Sequence, residues 1–457
     1  MSCFSLRRTL VHTFLACGLS LGVQASSFAQ SVNAAADGAS ATASDTQQRG
    51  AWFQATYIWQ TKPGFNAAYS GPNSLIPQAE ISTTLSMTAY LGWRPWAGGE
   101  IYFNPEGAQG RVFSNVTGLG GFPNGEVTRT SGPDLTFYRQ RLFLRQTWNQ
   151  GGGDEVLPSG INQLAGTVDK NRWVLTAGNF STLDVFDNNA YAKDPRRQFM
   201  NWGNMSYAAY DYAADARGFS WGFAAEKYWD NWALRFGRMT GPETPNGLTM
   251  DFNILNHYGD QVELERGHEW AGRPGKVRVL AFRNRAVLAR YRDAINQATP
   301  GNAPDMVKAR AGEQFKTGLG VNLEQELSPG VGVYARMMQT DGATETYAFT
   351  EADQSLSVGV SVRGERWGRA NDVWALSFMQ NGLSNDRRDY LAAKGISFFI
   401  GDGGLNYAPE TILETYYSVS LRKDTTLSLN LQHISNPAYN ADRGPVVIGG
   451  VRLHTEF

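Results

Sequence analysis

The chain ends in Val446-Val447-Ile448-Gly449-Gly450-Val451-Arg452-Leu453-His454-Thr455-Glu456-Phe457, where polar and apolar residues alternate. Every second residue from Val447 to Phe457 is apolar, small or threonine, whereas Arg452, His454 and Glu456 stand between them. Side chains of a β-strand point alternately to opposite faces, so one face of this segment suits lipid and the other suits water. We therefore predict a strand in the wall of a transmembrane β-barrel. The edge of a soluble sheet is the weaker alternative.

The same alternation recurs upstream. Five runs place apolar residues on one face and small, polar or charged residues on the other: residues 81–91, 318–324, 355–363, 413–422 and 427–432. The short link Lys423-Asp424-Thr425 joins the last two runs as a hairpin. A water-filled barrel needs this period of two in its strands, but a soluble sandwich would also show it.

Tryptophan helps to decide between these two architectures. The chain has 13 tryptophans, and many lie near the ends of the alternating runs or between them. Aromatic girdles at the two membrane interfaces are typical of outer-membrane barrels. We expect most of these residues in a girdle or in the lumen, although a protein core could also hold many of them.

Composition restricts the class of protein further. Hydrophobic residues make up 42% of the chain and the formal net charge is −1, so neither disorder nor nucleic-acid binding is favoured. After residue 30 no segment stays apolar and uncharged for the roughly 18 residues that indicate a transmembrane helix. If this chain crosses a membrane, it must do so with the strands of a closed barrel, because only helices and closed barrels satisfy every backbone group in lipid.

The N-terminus has the layout of a secretory signal peptide. Arg7 and Arg8 precede an apolar stretch over residues 9–22, and small residues follow at Ala25 and Ala29. The apolar stretch is too short to span a bilayer, which needs about 20 helical residues. We therefore predict cleavage after Ala29.

Three parts of the chain follow from this prediction: a signal peptide over residues 1–29, a flexible periplasmic leader over residues 30–50 and a barrel domain over residues 51–457. Both cysteines, Cys3 and Cys17, fall in the signal. The predicted mature chain therefore has neither disulfides nor thiolate metal sites.

Six irregular segments are predicted to be long loops, either extracellular or folded into the pore. They cover residues 105–133, 151–171, 184–202, 241–270, 298–312 and 381–404. We expect one such loop to narrow the lumen.

Three arginines share one alternating segment. In Tyr138-Arg139-Gln140-Arg141-Leu142-Phe143-Leu144-Arg145-Gln146, strand geometry puts Arg139, Arg141 and Arg145 on one face and the two leucines on the other. If leucine faces lipid, three guanidinium groups face the lumen, where they stay charged and donate to hydroxyl or carboxylate oxygens. Two interpretations have equal weight. The arginines form a ladder that sets selectivity, or they belong to an ordinary polar wall balanced by acidic residues elsewhere.

Residues 184–202 combine acids, amides, arginines and aromatic rings, among them Asp194, Arg196, Arg197, Asn201 and Trp202. Sugar sites need that combination because hydroxyls pair with planar polar groups while the apolar face of the sugar lies on a ring. A calcium loop is a weak alternative because the spacing of the acids matches no known loop. No metal site is predicted.

Catalysis is disfavoured. The predicted mature chain has four histidines, His257, His268, His433 and His454, and none accompanies a recognisable nucleophile motif. We therefore predict a diffusion pore without cofactor or enzymatic activity. A hydrolase built on a barrel and a plugged binding barrel are the rival classes, which hydrolysis and liposome-swelling assays would distinguish.

Three stretches of the chain are similar to a known family. They are Asp194-Pro195-Arg196-Arg197-Gln198-Phe199-Met200-Asn201-Trp202, Tyr210-Asp211-Tyr212-Ala213-Ala214-Asp215-Ala216-Arg217-Gly218, and Asn436-Pro437-Ala438-Tyr439-Asn440-Ala441-Asp442-Arg443-Gly444-Pro445-Val446 together with the last six residues. Together they resemble the carbohydrate-selective porin family of OprB type, over a region from about Trp52 to Phe457.

The resemblance implies an all-β, transmembrane antiparallel barrel of about 16 strands, where alternation alone allowed about 14 to 18. It implies a monomer in the outer membrane that passes glucose-like monosaccharides through a lumen lined with arginine, acidic and aromatic residues. Asp194, Arg196, Arg197 and Asn201 carry over as a family signature whose place at the constriction is a hypothesis. Trp202 is a further candidate for the lining, and alternation suggests Glu226 and Glu414 as the acidic partners.

The expected partners are carbohydrate solutes, outer-membrane lipid and lipopolysaccharide, and the barrel assembly machinery, to which such barrels present a C-terminal aromatic like Phe457. No nucleic-acid partner is expected. A channel for acidic saccharides or other anions is the alternative function, because it would also favour a lumen lined with arginine.

Overall fold

A computed structural model describes residues 46–129 and 132–457. The predicted signal peptide and residues 30–45 of the predicted leader lie outside the described residues. The first strand begins at Arg49, slightly before the predicted start of the barrel domain.

The described residues are mostly strands. These are β1 (Arg49–Lys62), β2 (Glu80–Trp96), β3 (Gly99–Arg111), β4 (Thr136–Asn149), β5 (Asp154–Leu157), β6 (Gly166–Asp169), β7 (Arg172–Phe180), β8 (Ser220–Trp229), β9 (Trp232–Met239), β10 (Tyr258–Trp270), β11 (Arg273–Val287), β12 (Glu313–Ser328), β13 (Val331–Thr340), β14 (Gln354–Gly364), β15 (Arg369–Gly382), β16 (Glu410–Arg422), β17 (Thr425–Ser435) and β18 (Val446–Glu456). The α-helices are α1 (Trp202–Met205), α2 (Tyr291–Gln297), α3 (Met306–Ala309) and α4 (Asn385–Ala392), and short 3-10 helices cover Phe113–Val116, Val127–Arg129, Thr182–Asp184, Glu365–Trp367 and Pro437–Tyr439. Within the described ranges no helix is both long enough and apolar enough to cross a membrane.

Sixteen of the strands form one closed antiparallel barrel, and β5 and β6 form a separate hairpin. Each barrel strand pairs with its neighbour along the chain, except that β4 pairs with β7 across the hairpin, and β1 pairs with β18 to close the ring. Closure gives every barrel strand two partners and leaves the barrel without a free edge, as the interior of a bilayer requires. The predicted fold class and strand number are confirmed.

The two faces of the wall follow the predicted alternation. On β2, Ile81 and Leu91 are exposed on the outer face, whereas Ser82 and Thr88 are buried inside the barrel. Seven tryptophans are exposed: Trp93, Trp96, Trp148, Trp173, Trp270, Trp367 and Trp374. Trp202 is instead buried in the lumen, so the tryptophans divide between the two expected locations.

The two ends of the barrel differ in their connections. At one end of the barrel, β1 begins and β18 ends. This end has one long connection, at residues 150–171, and short turns at residues 97–98, 230–231, 271–272, 329–330, 365–368 and 423–424. The other end has the loops L1 (residues 63–79), L2 (112–135), L3 (181–219), L4 (240–257), L5 (288–312), L6 (341–353), L7 (383–409) and L8 (436–445). Short turns are typical of the periplasmic end of such barrels, and long loops of the extracellular end.

The predictions for two of the loops are partly wrong, one in its bounds and the other in its location. Residues 258–270 of the predicted loop 241–270 form strand β10. Its lumenal carboxylates Glu263 and Glu265 interrupt the run of apolar residues, so the sequence did not indicate a strand. The segment 151–171 was predicted as extracellular or folded into the pore, and it lies at the periplasmic end. Its tip does fold into the barrel.

The lumen is filled by loops that fold back into it. Tyr210 and Tyr212 of L3 are buried, and their rings pack against Phe282 of β11 and Phe349 of L6 at 5.3 and 6.1 Å between ring centres. Phe122 of L2 belongs to the same buried cluster. The main hydrophobic core therefore lies inside the barrel, where it holds the loops that define the passage.

Candidate functional site

Loop L3 crosses the lumen and is attached to the opposite wall. Asp187, early in the loop, accepts a hydrogen bond from Arg336 of β13 (Oδ1–Nε 3.0 Å). Further along, the carbonyl group of Pro195 accepts from Arg452 of β18 (2.8 Å). Because L3 then returns to β8, it divides the cross-section of the barrel, and a solute that crosses must pass beside it.

Arg196 fastens L3 to the wall and to L2. Its guanidinium lies 2.7 Å from Glu106 of β3 and 2.8 Å from Glu126 of L2, and it donates to the Tyr90 hydroxyl at 3.2 Å. Burial lowers the pKa of Arg196, but the two carboxylates outweigh burial and raise it. All of these side chains are buried, so the residue predicted to line the pore acts here as an internal clamp.

Asn201, Trp202 and Glu414 form a second buried attachment. Glu414 of β16 accepts hydrogen bonds from the Met200 amide (2.6 Å) and from the side chain of Asn204 (2.8 Å). Asn201 caps α1 through the Gly203 amide (2.9 Å), and the Trp202 ring stacks on Tyr212 with 6.1 Å between ring centres. Since Glu414, Asn201 and Trp202 are at most 3% exposed, the structure does not present them to a solute.

Asp194 and Arg197 flank the clamp. Asp194 accepts a hydrogen bond from the Arg196 amide (2.9 Å) and thereby shapes the turn. Arg197 keeps 40% of its side chain exposed and lies 3.5 Å from Glu456 near the periplasmic end of β18. Of the family-signature residues, Arg197 is thus the most open to solvent.

Arg141, Asp184 and Lys193 bring charge to the lumenal surface between L3 and β4. Arg141 and Asp184 form a bidentate ion pair in which both nitrogen–oxygen distances are 2.7 Å. Asp184 keeps 31% of its side chain exposed, and Lys193 is also partly exposed. Lys193 also interacts electrostatically with Asp184, so guanidinium, carboxylate and ammonium groups lie in the same part of the lumen.

The electrostatics of these three groups differ. Burial raises the pKa of Asp184, but the charge and hydrogen bonds of Arg141 outweigh burial and hold the pKa below its usual value. Burial lowers the pKa of Lys193 to about 8, and Asp184 and Asp187 offset only part of that effect. The site therefore combines a fixed ion pair with one ammonium that can lose its proton under mildly basic conditions.

Arg145 lies on the same inner face, nearer the periplasmic end. Its guanidinium is 5.3 Å from the ring centre of Tyr102 and 5.5 Å from that of Phe143, and it donates to the Asn162 carbonyl at 2.9 Å. Arginine stacked on rings is a preferred arrangement because the ring faces are electron-rich. The prediction that Arg145 faces the lumen is thus consistent with its contacts.

Asn162 belongs to the tip of the β5–β6 connection, residues 158–165, which we name the tip segment. Leu164 of this segment is fully buried and its amide donates to the Tyr102 hydroxyl (3.0 Å). The side chain of Asn162 accepts from Asn104 of β3 (2.9 Å). The tip segment therefore occupies part of the barrel mouth from the periplasmic end.

Arg139 lies on the outer face of the wall, contrary to the prediction. Its two neighbours along β4 both donate to Glu106 inside the barrel, and its own guanidinium lies 4.9 Å from the Trp221 ring on the outside. The register between β3 and β4 shifts here, so that Gln140 and Arg141 both face inward. Such a bulge shifts the inward–outward alternation by one residue, and a strict period of two in the sequence does not predict it.

Glu226 belongs to a ring of paired charges along β8–β12. Arg235 lies 3.0 Å from Glu226 and 3.3 Å from Glu265, and Arg278 lies 2.6 Å from Glu265 and 3.2 Å from Glu324. Glu226 is thus on the lumenal wall, as alternation suggested, but it is paired rather than isolated. Arginine and carboxylate alternate around this side, so the wall carries little net charge.

The other members of this ring were not singled out from the sequence, although the signal is present. Arg235 stands between Leu234 and Phe236, and the run Val277-Arg278-Val279 has the same form. A charged residue between outward apolar neighbours is the mark of a lumenal position in a barrel strand.

A sealed barrel with an apolar outer face, a charged inner wall and a loop that narrows the lumen is an outer-membrane porin, a channel for passive diffusion. The sequence pattern of the carbohydrate-selective porin, OprB family, matches residues 76–457. The chain belongs to this family, and it is an outer-membrane sugar porin.

Solved structures support the fold. The high-pH structure of Pseudomonas putida OprB is 15% identical, with a TM-score of 0.65 over 90% of this chain and 94% of that chain. The outer membrane channel DcaP of Acinetobacter baumannii is 9% identical, with a TM-score of 0.50 over 91% of this chain and 99% of that chain. The search of curated proteins found no match. At these identities the likeness extends to the barrel fold alone.

Proposed function

We propose that glucose-like monosaccharides cross the barrel beside L3, past Arg141, Asp184 and Lys193. The observation that carries this proposal is the Arg141–Asp184 ion pair, which stays partly exposed in a lumen otherwise filled by buried loops. Sugar hydroxyls donate and accept hydrogen bonds, and the pair offers both partners at fixed positions. Exchange of hydration water for these groups lowers the barrier to passage while binding stays weak enough for release.

The charge pattern favours neutral sugars over the alternative of acidic saccharides or other anions. Arg235 and Arg278 are neutralised by Glu226, Glu265 and Glu324 on the same wall. A lumen built to attract anions would be expected to leave such arginines unpaired. Reversal potentials in a salt gradient, compared with swelling rates in glucose and in glucuronate, would test this alternative.

We expect Arg141→Gln to weaken the block of ion current by glucose by about tenfold, because a charge-assisted hydrogen bond contributes about 1.5 to 3 kcal/mol. Loss of the guanidinium also leaves the Asp184 carboxylate unpaired, so the channel should become more permeable to cations. Planar-bilayer recordings with increasing glucose measure both effects.

Arg139→Gln is the matched control for that substitution. Arg139 lies on the same strand but on the outer face, so its removal should leave glucose block unchanged. Two results would contradict the proposal: glucose blocks the current of the Arg141→Gln channel as strongly as that of the unsubstituted protein, or the block weakens equally in both variants. Either result would show that sugars do not pass the Arg141–Asp184 pair.

We further propose that the tip segment narrows the periplasmic exit. Leu164→Asp would put a carboxylate where an apolar side chain is now fully buried, at a cost of several kcal/mol, so the tip segment should leave the barrel mouth. Single-channel conductance should then rise about 1.5-fold, since it follows the open cross-section.

Val156→Asp in the same hairpin is the control, because Val156 is only half-buried and the new charge can reach water. Limited proteolysis at the hairpin would report release of the tip segment independently of current. Cleavage after Leu164→Asp with unchanged conductance would show that the exit is not narrowed there.

We infer that the chain is a monomer without catalytic activity and that Phe457 is recognised by the assembly machinery. Phe457 is 66% exposed at the periplasmic end, which supports its recognition there. Thr56 and His454 are hydrogen-bonded at 2.8 Å, but both are almost fully buried, which argues against a nucleophile and base serving a substrate. Sedimentation in detergent and a hydrolysis assay on lipid and peptide substrates test these inferences.

A further inference from the structure

The outer face of the barrel changes character near the extracellular end of β9–β11. On β9, Leu234 and Phe236 are exposed on the outer face, and the next outward residue is Arg238. On β11, the outward series reaches Arg283 and then Arg285. Arginines thus stand in the outward series of β9 and β11, the two strands that flank β10, near their extracellular ends and on the side of the wall that no lumenal solute touches.

These arginines share too few carboxylates to be neutralised. Arg238 makes a bidentate pair with Asp260 of β10 (2.7 and 2.8 Å), and Arg283 reaches the same carboxylate at 3.5 Å. Arg285 pairs with Glu313 of β12. Three guanidinium groups are thus matched by two carboxylates, and Arg283 keeps 51% of its side chain exposed.

Aromatic rings of the wall lie close to the arginines. Arg238 lies 4.0 Å from the ring centre of Tyr258, and Arg283 and Arg285 lie 5.5 and 5.8 Å from that of Phe315. A guanidinium stacked on a ring keeps its edge available for hydrogen bonds, and the edge matches the geometry of a phosphate group. We name Arg238, Arg283 and Arg285, with Asp260 and Glu313, the outer arginine patch.

We propose that the outer arginine patch binds the phosphorylated headgroup of lipopolysaccharide in the outer leaflet. The patch lies where the apolar band ends at the extracellular side, which is the depth of the lipid headgroups. Its surplus of positive charge fits a phosphomonoester.

The opposite end of the same wall supplies the comparison. Arg266 lies over the Trp232 ring (5.0 Å) and Lys227 over the Trp173 ring (5.4 Å), so single cations also stack on rings near the periplasmic end. Neither belongs to a cluster of arginines around shared carboxylates. A general preference for cations at membrane interfaces therefore does not account for the outer arginine patch.

The test compares two variants of the full-length protein purified in detergent. One is Arg238→Gln/Arg283→Gln/Arg285→Gln, and the control is Lys227→Gln/Arg266→Gln. Native mass spectrometry measures binding of purified lipopolysaccharide, of the same lipopolysaccharide after phosphatase treatment, and of phosphatidylglycerol. Glucose-driven liposome swelling reports the lumen, which neither variant touches.

We expect the triple variant to bind intact lipopolysaccharide at least about tenfold more weakly than the control variant, with equal swelling rates. Phosphatase treatment should weaken binding to the unsubstituted protein by a similar factor. Equal binding by both variants, equal binding of phosphatidylglycerol and lipopolysaccharide, or indifference to phosphatase treatment would each overturn the proposal. To guard against misfolding, a charge-balanced variant that adds Asp260→Asn and Glu313→Gln should show the same loss of binding.

Discussion

Arg196→Ala is expected to release L3 from the wall and to abolish discrimination among sugars by size. Arg196 is buried between Glu106 and Glu126. Among the described residues its removal takes away the direct ion pair of Glu106 and leaves Glu126 paired with Arg129. Removal of one partner from a buried ion pair costs about 3 to 5 kcal/mol, because the other charge stays buried without compensation. Single-channel conductance should rise about twofold or more, and trisaccharides should enter liposomes.

Arg197→Ala is the control for this substitution, since Arg197 is adjacent in sequence but largely exposed, with its carboxylate partner 3.5 Å away. The double variant Arg196→Met/Glu106→Gln should recover much of the original conductance, because it removes the two paired charges together and leaves Glu126 paired with Arg129. An Arg196→Ala channel that excludes trisaccharides and conducts like the unsubstituted protein would mean that Arg452 and Glu414 hold L3 without it.

The sequence was sufficient to predict the barrel because hydrocarbon outside and water inside impose one rule on every strand. Ser82 and Thr88 are buried and Ile81 and Leu91 are exposed, as period two requires. The rule fails at Arg139, because β4 has one extra residue there relative to its partner β3. A bulge depends on how one strand pairs with another, so the residue pattern of a single strand does not reveal it.

The constriction was less predictable because it depends on how loops fold back. Arg196, Asn201 and Glu414 have the residue types of a sugar site, yet the fold buries them as fasteners of L3. Lys193 and Asp184 lie in the segment that was predicted, but only the path of L3 brings them beside Arg141. Residue type indicates the chemistry available, and tertiary packing decides which groups a solute can reach.

Lys193 is expected to make the ion selectivity of the channel depend on pH. Burial lowers the pKa of its ammonium to about 8, so the group is charged below that pH and neutral above it. The charged groups that face it are the carboxylates of Asp184, Asp187 and Glu263 and the guanidinium of Arg278. The ratio of anion to cation permeability should therefore fall about fivefold between about pH 6.5 and about pH 9.5, because one positive charge is lost in a narrow, weakly screened passage.

Two substitutions distinguish the titration of Lys193 from that of every other group. Lys193→Met should give the low permeability ratio at both pH values, and Lys193→Arg should keep the high ratio because a guanidinium does not titrate in this range. Reversal potentials in a salt gradient measure the ratio directly. Because Lys193 and Asp184 both belong to L3 and interact electrostatically, a step that persists in Lys193→Met would place the ion path elsewhere in the lumen, and the proposed sugar path with it.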